Sequence, residues 1–265
     1  MAKLSDLNGY GEEIEKLLQL RTSPIAVKLL EKEEDIPEGT ICPRKDLGTH
    51  LALCQAFAMA RREGSQVAML KDDHWCYAPV MAFGLAEPPE FFLEGLTNYP
   101  DRVADAEAAR RLANAFHRLE LGKYVGTISA PLKTTSFEPD LAIIYCNSAQ
   151  LTCLLSAMRY KEGYQVTSTL EPGGACIEST VPVIKSGGCQ VSIPCMGDRN
   201  YALARDDEVI FSIPKSRLED LMLGLRHANE VGSGYTSIVP RMMPEYPLTE
   251  NYVKVGRMVG MDVHE

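Results

Sequence analysis

Apolar positions recur along this chain in two periods, and the switches between them mark its elements. Leu7, Tyr10, Ile14, Leu17 and Leu18 return at helical spacing until Ser23-Pro24 ends the run. "IAVKLL" from Ile25 is apolar apart from one lysine and reads as a strand. The charged, proline-bearing stretch "EKEEDIPEGTICPRKDLGTH" then makes a long surface loop, Glu31 to His50. A nearly all-apolar helix follows over 51–62, with Gly64 as its stop, and then the short strand "QVAML". "KDDHWCYAPVMAFGL" is a polar turn that delivers Cys76 into a helical segment started by proline. Residues 101–121 predict a helix capped by Asp101 and closed by Gly122, ahead of strands in "KYVGTISAPL" and "DLAIIYC". A helix over 149–161, a stop at Gly163 and a strand "YQVTSTL" come next. "CQVSIPCMGDRN" reads as a strand ending in a cysteine-bearing turn, "EVIFSIP" as another strand, and 215–229 as an amphipathic helix through Leu218, Leu221, Leu225 and Ala228.

One segment is written twice. "CQAFAMARREGSQV", Cys54 to Val67, returns 99 positions later as "CLLSAMRYKEGYQV", Cys153 to Val166, with seven of fourteen positions identical. Strand, helix, glycine stop, strand and cysteine turn recur in the same order around both copies. The expected fold is therefore α/β, with a mixed sheet or sheets and flanking helices, in two lobes related by an internal duplication. The first lobe spans 1–135 and the second 136–231. Residues 232–265 read as a C-terminal arm that packs on the body or on a second subunit, which would make a homo-oligomer.

Composition narrows the function classes. Hydrophobic residues are 45% and charged residues 24%, a globular balance, and the formal net charge is -9. Nucleic acid and anionic lipid are not expected partners of so acidic a chain. Arg61-Arg62 and Arg110-Arg111 read as solvated helix faces. No apolar stretch long enough to span a membrane occurs, and "MAKLSDLNGYGEEIEKLL" has no apolar leader core, so a soluble, cytoplasmic protein is expected. Eight cysteines in that compartment are buried small hydrophobes, reactive thiols or metal ligands rather than a disulfide framework.

The cysteine turns carry the candidate chemistry. Cys76 and Cys176 each follow a predicted strand, where α/β folds place ligands, and lobes facing each other would bring both to one cleft. Cys195 lies in a third turn, "PCMGDR", and Cys54 heads the helix behind the first. Taken alone, Cys54 in so apolar a helix reads as an inert buried thiol. Cys42, Cys146, Cys153 and Cys189 read as structural. His74, after Asp72 and Asp73, reads either as a ligand or proton shuttle or as part of a capped surface turn. Arg199 reads either as an anion binder that offsets thiolate charge or as a surface ion pair, and Glu178 and Lys133 are weaker candidates of the same kind. "PGGAC" and "SGGC" match no phosphate-binding fingerprint.

"SPIAVKLL", "LCQAFAMARREG", "DDHWCYAPVMAFGL", "FEPDLAIIYCNSAQ", "ACIESTVPVIKSGG" and "VSIPCMGDRN" together resemble the prokaryotic DUF169 family, common in anaerobic bacteria and archaea, over roughly residues 7–228. Cys54, Cys76, Cys176 and Cys195 match the family's characteristic cysteines, and Cys153 does not. Pro194 stands where the family usually has glycine, and "YAPV" where it has a glycine-containing turn. Four matched thiols imply a cysteine-ligated [4Fe-4S] cluster, with zinc as the alternative, because thiolates are soft ligands that suit both. The intervening lengths of 21, 99 and 18 residues follow no C-x2-C signature, so the fold must bring the four together. The resemblance implies an iron-sulfur protein with a redox partner protein or a small-molecule ligand. The rival is a metal-free module holding a small acid on Arg199 and the "PGGAC" turn.

Overall fold

The computed structural model describes residues 3–236, 248 and 250–262. Six strands form one sheet: β1 (Ile25–Leu30), β2 (Val67–Leu70), β3 (Gly126–Pro131), β4 (Leu141–Cys146), β5 (Gln190–Ser192) and β6 (Val209–Pro214), in the order β2-β3-β1-β4-β6-β5. Every strand pairing is antiparallel, which corrects the expected mixed sheet. Parallel contact is confined to isolated bridges, Ile41 with Val67 and Leu51 with His74. The reason lies in coverage: helices pack on both faces, so the strands are apolar on both sides, a pattern that parallel sheets usually show.

Eleven helices are described: α1 (Leu4–Leu18), α2 (Leu53–Ala58), α3 (Tyr77–Ala82), α4 (Glu90–Leu93), α5 (Ala106–Ala115), α6 (Ser148–Glu162), α7 (Ala175–Glu178), α8 (Val181–Ser186), α9 (Met196–Ala202), α10 (Leu218–Glu230) and α11 (Glu250–Met258). Strand alternation divides the interior into two cores. On one face Ala26, Leu30, Ala142, Ile144 and Phe211 meet Leu7, Ile14 and Leu18 of α1, Leu154 and Met158 of α6, and Leu221 and Leu225 of α10. On the other, Ile25, Val27, Leu141, Ile143 and Tyr145 meet Phe57 of α2, Ala82 of α3, Ile177 of α7 and Val181 of α8. Phe57, Phe83 and Phe211 are fully buried, and each such side chain contributes about 1.5–3 kcal/mol by the area it removes from water.

The repeated segments fold differently. α2 continues through a π-helical turn over Met59–Glu63 and ends at Gly64, on the face of Ile25 and Val27. α6 is capped by Asn147, ends at Gly163, and lies on the opposite face with Ala26 and Leu30. The expected strand "YQVTSTL" has no ladder. It runs beside β5 on side-chain bonds, Val191 donating its N–H to Ser168 Oγ at 2.8 Å and Gln190 Nε2 to the Thr169 carbonyl at 2.9 Å. The helix expected over 101–121 is shorter as well. Asp105, not Asp101, accepts the N–H of Ala108 at 2.7 Å, and the chain leaves the helix at Phe116, whose ring packs on Phe92 with centroids 5.2 Å apart.

Residues up to Tyr235 form one compact unit and Thr236–Glu265 a second. The first contains both stretches read as lobes, 1–135 and 136–231, and the β1–β4 pair joins them, with Ile25 opposite Ile143 and Val27 opposite Leu141. In the second, α11 is described, whereas the arm's Pro240, Pro244 and Pro247 lie outside the described residues. Among the described residues no helix is long and apolar enough to cross a membrane.

Candidate functional site

The helices after the two edge strands turn inward over one face of the sheet. α2 packs against α9 and α7, and α3 against α7. Each of these helices carries one of the four family-matched cysteines in its first turn or at its cap. Cys54 is the second residue of α2, Cys76 is the N-cap of α3, Cys176 is the second residue of α7, and Cys195 is the N-cap of α9. Cys195 Sγ accepts the backbone N–H of Asp198 at 3.4 Å. Cys54 packs with Ala52, Ala58, Ala202 and Cys76 in a small apolar cluster.

The four thiols act on one another. Burial pushes the Cys54 thiol up to about 12, with Asp198, Cys195 and Cys76 adding to the shift and the Gln55 amide opposing it. Burial pushes Cys176 well above the ordinary thiol value, and Cys54, Cys195, Cys76 and Asp198 push it further. Cys76 is raised by burial and by Cys195, against the Ala78 amide and Arg102. Four residues scattered over the chain therefore share one neighbourhood, in which burial favours the neutral forms of Cys54, Cys76 and Cys176. Among the described residues, no group of three or more His, Cys, Asp or Glu side chains stands in a geometry ready to hold a metal ion. The donor types suit a soft metal or an iron-sulfur cluster, and bringing them onto one centre requires side-chain rotation.

A buried polar network backs the thiols, and sequence reasoning missed it. Asp198 is completely buried, and burial raises its carboxyl to about 6, opposed by the Tyr145 hydrogen bond and by Arg61. Tyr145, on β4, donates its hydroxyl to Asp198 Oδ2 at 2.9 Å, while Oδ1 has no partner. The Arg61 guanidinium stacks over the Tyr145 ring at 3.9 Å, donates to the Ala202 carbonyl at 3.1 Å and lies 3.5 Å from Glu208. The one signal for Asp198 is its position three residues after Cys195 at the start of a helix.

The other candidates are spread out. The two ring nitrogens of His74 are buried without hydrogen-bond partners, and burial lowers its pKa to about 4 against the pull of Asp73. Asp73 itself caps the turn, accepting the N–H groups of Leu70 and Arg44, both at 2.9 Å, and Asp72 lies 3.6 Å from Arg44. Arg199 is engaged by its own chain, donating to the Arg205 carbonyl at 2.9 Å and Asp206 at 3.1 Å. Glu178 is buried and raised to about 7 by burial and then by Glu171, with Oε2 3.6 Å from His117 Nε2. Lys133 pairs with Glu15 at 2.8 Å. Cys146 and Cys189 lie in the opposite core, with Cys42 and Cys153 packed against it. All eight cysteines are free thiols. Outside the thiol site, Trp75 meets Tyr201 edge-on at 5.3 Å, and both are exposed, as are Tyr77 and Met196. The site thus has a buried wall, formed by Cys54, Cys176 and Asp198, and an aromatic rim beside Cys76 and Cys195.

The chain is 28% identical over 236 residues to a curated protein named "Uncharacterized protein MJ0308" from Methanocaldococcus jannaschii, covering 85% of this chain and 97% of that one. No solved structure matches the chain. Residues 13–224 match the model of DUF169, described as "Uncharacterised ArCR, COG2043", and the chain belongs to that family.

Proposed function

We propose that Cys54, Cys76, Cys176 and Cys195 hold a [4Fe-4S] cluster and that this is a cytoplasmic iron-sulfur protein that passes electrons to a partner protein or binds a small ligand at the cluster. One observation carries the reading: Cys54, Cys76, Cys176 and Cys195, far apart in sequence, sit at the N-terminal ends of four helices packed over one face of the sheet, close enough that Cys54 and Cys176 each feel the charge of Cys76 and Cys195. A cluster bound there supplies one-electron redox chemistry. The chain supplies the rest. Backbone amides of Gln55 and Ala78 favour the thiolate forms of Cys54 and Cys76, and the Asp198 amide donates to the Cys195 sulfur. Arg102 adds positive charge near Cys76, and the Trp75–Tyr201 rim gives a partner or ligand a face beside the two half-buried sulfurs.

The duplication belongs to the same reading. Counted outward from the central β1–β4 pair, each half of the sheet places its third strand next and its second strand at the edge. Cys76 and Cys195 both cap the helix that follows such an edge strand. On this view the halves correspond as Cys76 with Cys195 and Cys54 with Cys176, and the Cys54–Cys153 match is incidental.

The test is metal and sulfide analysis on protein never exposed to air. Wild-type protein is expected to carry iron and labile sulfide with broad visible absorption, Cys76→Ala to lose them and Cys153→Ala to keep them. Anaerobic reconstitution that yields neither iron nor visible bands sinks the reading. Stoichiometric zinc in the same sample replaces it with a structural zinc site.

A further inference from the structure

The long loop Glu31 to His50 contributes none of the four family-matched cysteines, yet it is firmly built. Ile41 bridges Val67 at the edge of the sheet. Gln66 Nε2 donates to Thr40 Oγ1 at 2.7 Å, and the Thr40 hydroxyl donates in turn to the Pro37 carbonyl at 2.7 Å. Buried Asp73 ties the loop to the turn after β2, accepting the N–H groups of Arg44 and Leu70. Connections of this length in a compact fold are mostly functional, and one held by so many bonds has its shape before any ligand arrives.

Between the loop and that turn lies an open cleft of about 740 Å³, within the range of small-molecule sites. Its charges are sorted by segment. Glu33 and Glu38 come from the first part of the loop, Arg44 and Lys45 from the second, and Asp72 from the turn. Glu33, Glu38 and Lys45 make no ion pair or side-chain hydrogen bond among the described residues. Arg44 meets Asp72 only at 3.6 Å, an exposed pair that water screens and that a better partner displaces at little cost. Ile36, Cys42 and Leu70 also line the cleft and pack on the core beneath, which gives it an apolar floor.

Fixed charges of both signs over an apolar floor suit an occupant that carries both signs on a hydrocarbon stem. A carboxylate matches the Arg44 fork with Lys45 beside it, a cation matches Glu33 and Glu38, and methylenes between them cover the floor. Asp72 and Asp73 add further negative charge, so the lining is acidic on balance and favours an occupant of net positive charge over a simple acid. We propose that this cleft binds a basic amino acid, its carboxylate on Arg44 and Lys45 and its side-chain cation on Glu33 and Glu38. The site is separate from the thiols and does not rest on their reading as metal ligands.

The test is isothermal titration calorimetry of the full chain with L-arginine and L-lysine. At least one is expected to bind, whereas agmatine, which lacks the carboxylate, and L-norvaline, which lacks the cation, are expected to bind at least about tenfold more weakly, the loss of one charge-assisted contact. Lys45→Ala should weaken the amino acid and leave agmatine unchanged; Glu38→Gln should weaken it and leave L-norvaline unchanged. Both positions are exposed, so neither variant threatens the fold. Absence of heat with both amino acids overturns the proposal, as does equal affinity for agmatine or full affinity in both variants. Cys76→Ala, which disables the proposed cluster, is expected to keep the binding; its loss there would move the ligand to the thiol site and overturn this one.

Discussion

Gly224 and Gly9 are both helix-interior glycines, and propensity alone predicts that alanine would stabilise each by up to about 1 kcal/mol. The structure separates them. A Cβ at Gly9, exposed on α1, meets nothing within 4 Å. A Cβ at Gly224, where α10 crosses α6, would lie 2.2 Å from the Ala157 carbonyl oxygen and 2.6 Å from its Cα. Ordinary contact begins near 3.4 Å, and the obstacle is backbone, so the helices must part by about 1 Å. A gap of that size forfeits a quarter to a half of each contact across the seam, where Leu221, Met222 and Leu225 face Leu154 and Met158. Overpacking of this kind costs about 3 kcal/mol, so Gly224→Ala is expected to lose about 2 kcal/mol net after the propensity gain. Thermal denaturation followed by circular dichroism reads both variants. Tm is expected to fall by about 4–8 °C for Gly224→Ala and to rise by about 2–4 °C for Gly9→Ala. Gly224→Ala protein as stable as wild type would refute the close crossing of α6 and α10.

Arg61→Met strands Glu208 in the interior without its cation and is expected to cost about 3–5 kcal/mol; the double variant with Glu208→Gln should recover much of that loss, as measured by denaturant midpoint. In metal-free protein, His74 is depressed to about 4 from 6.5, so its contribution is intact above pH 6.5 and up to about 3 kcal/mol is lost as pH falls toward 4; His74→Phe should remove that limb of the stability curve. Glu178 is raised to about 7 from 4.5, so its penalty is absent below pH 4.5 and grows to about 3 kcal/mol as pH climbs through 7; Glu178→Gln should flatten that opposite limb. Thiols held neutral must release protons to bind metal, so Co(II) affinity should rise more than tenfold per pH unit between about 6.5 and 7.5; a shallower dependence means that fewer than two thiols ligate.

Much of the fold is legible in runs of apolar residues, because β1, β3 and β4 are buried on both faces and their sequences are interrupted by few polar residues, Lys28 in β1 and Thr127 and Ser129 in β3. The same double burial hides strand direction, since covered antiparallel and parallel strands look alike when written out. The stretch 164–170 has strand composition yet makes no ladder, because its partner β5 is only three residues long and meets it through Ser168 and Gln190 side chains. Asp101 and Asp105 are equally good caps on paper; only the Ala108 N–H decides between them. At the site, cysteines can be matched from their flanking motifs. Asp198 and Tyr145 cannot, since one looks like a turn aspartate and the other like any strand aromatic, and their meaning comes from a contact across 53 residues.

The direction of the thiol shifts bears on two uses that a cysteine cluster can serve. A nucleophilic or redox-sensing thiol is kept ionised at neutral pH by a cation, a histidine or a bare helix N-terminus. Here the shifts run the other way: burial pushes Cys54 up to about 12 and Cys176 well above the ordinary thiol value, with an aspartate among their neighbours and Arg102 acting on Cys76. In such a pocket a thiolate at Cys54 or Cys176 is costly, which disfavours either as the attacking nucleophile. A bound metal would reverse the balance, because its positive charge would turn the mutual repulsion of thiolates into attraction for a common point. On the proposed reading, burial that makes this pocket a poor place for a free thiolate is offset by the metal, and the half-buried Cys76 and Cys195 would put the centre within reach of the Trp75–Tyr201 rim.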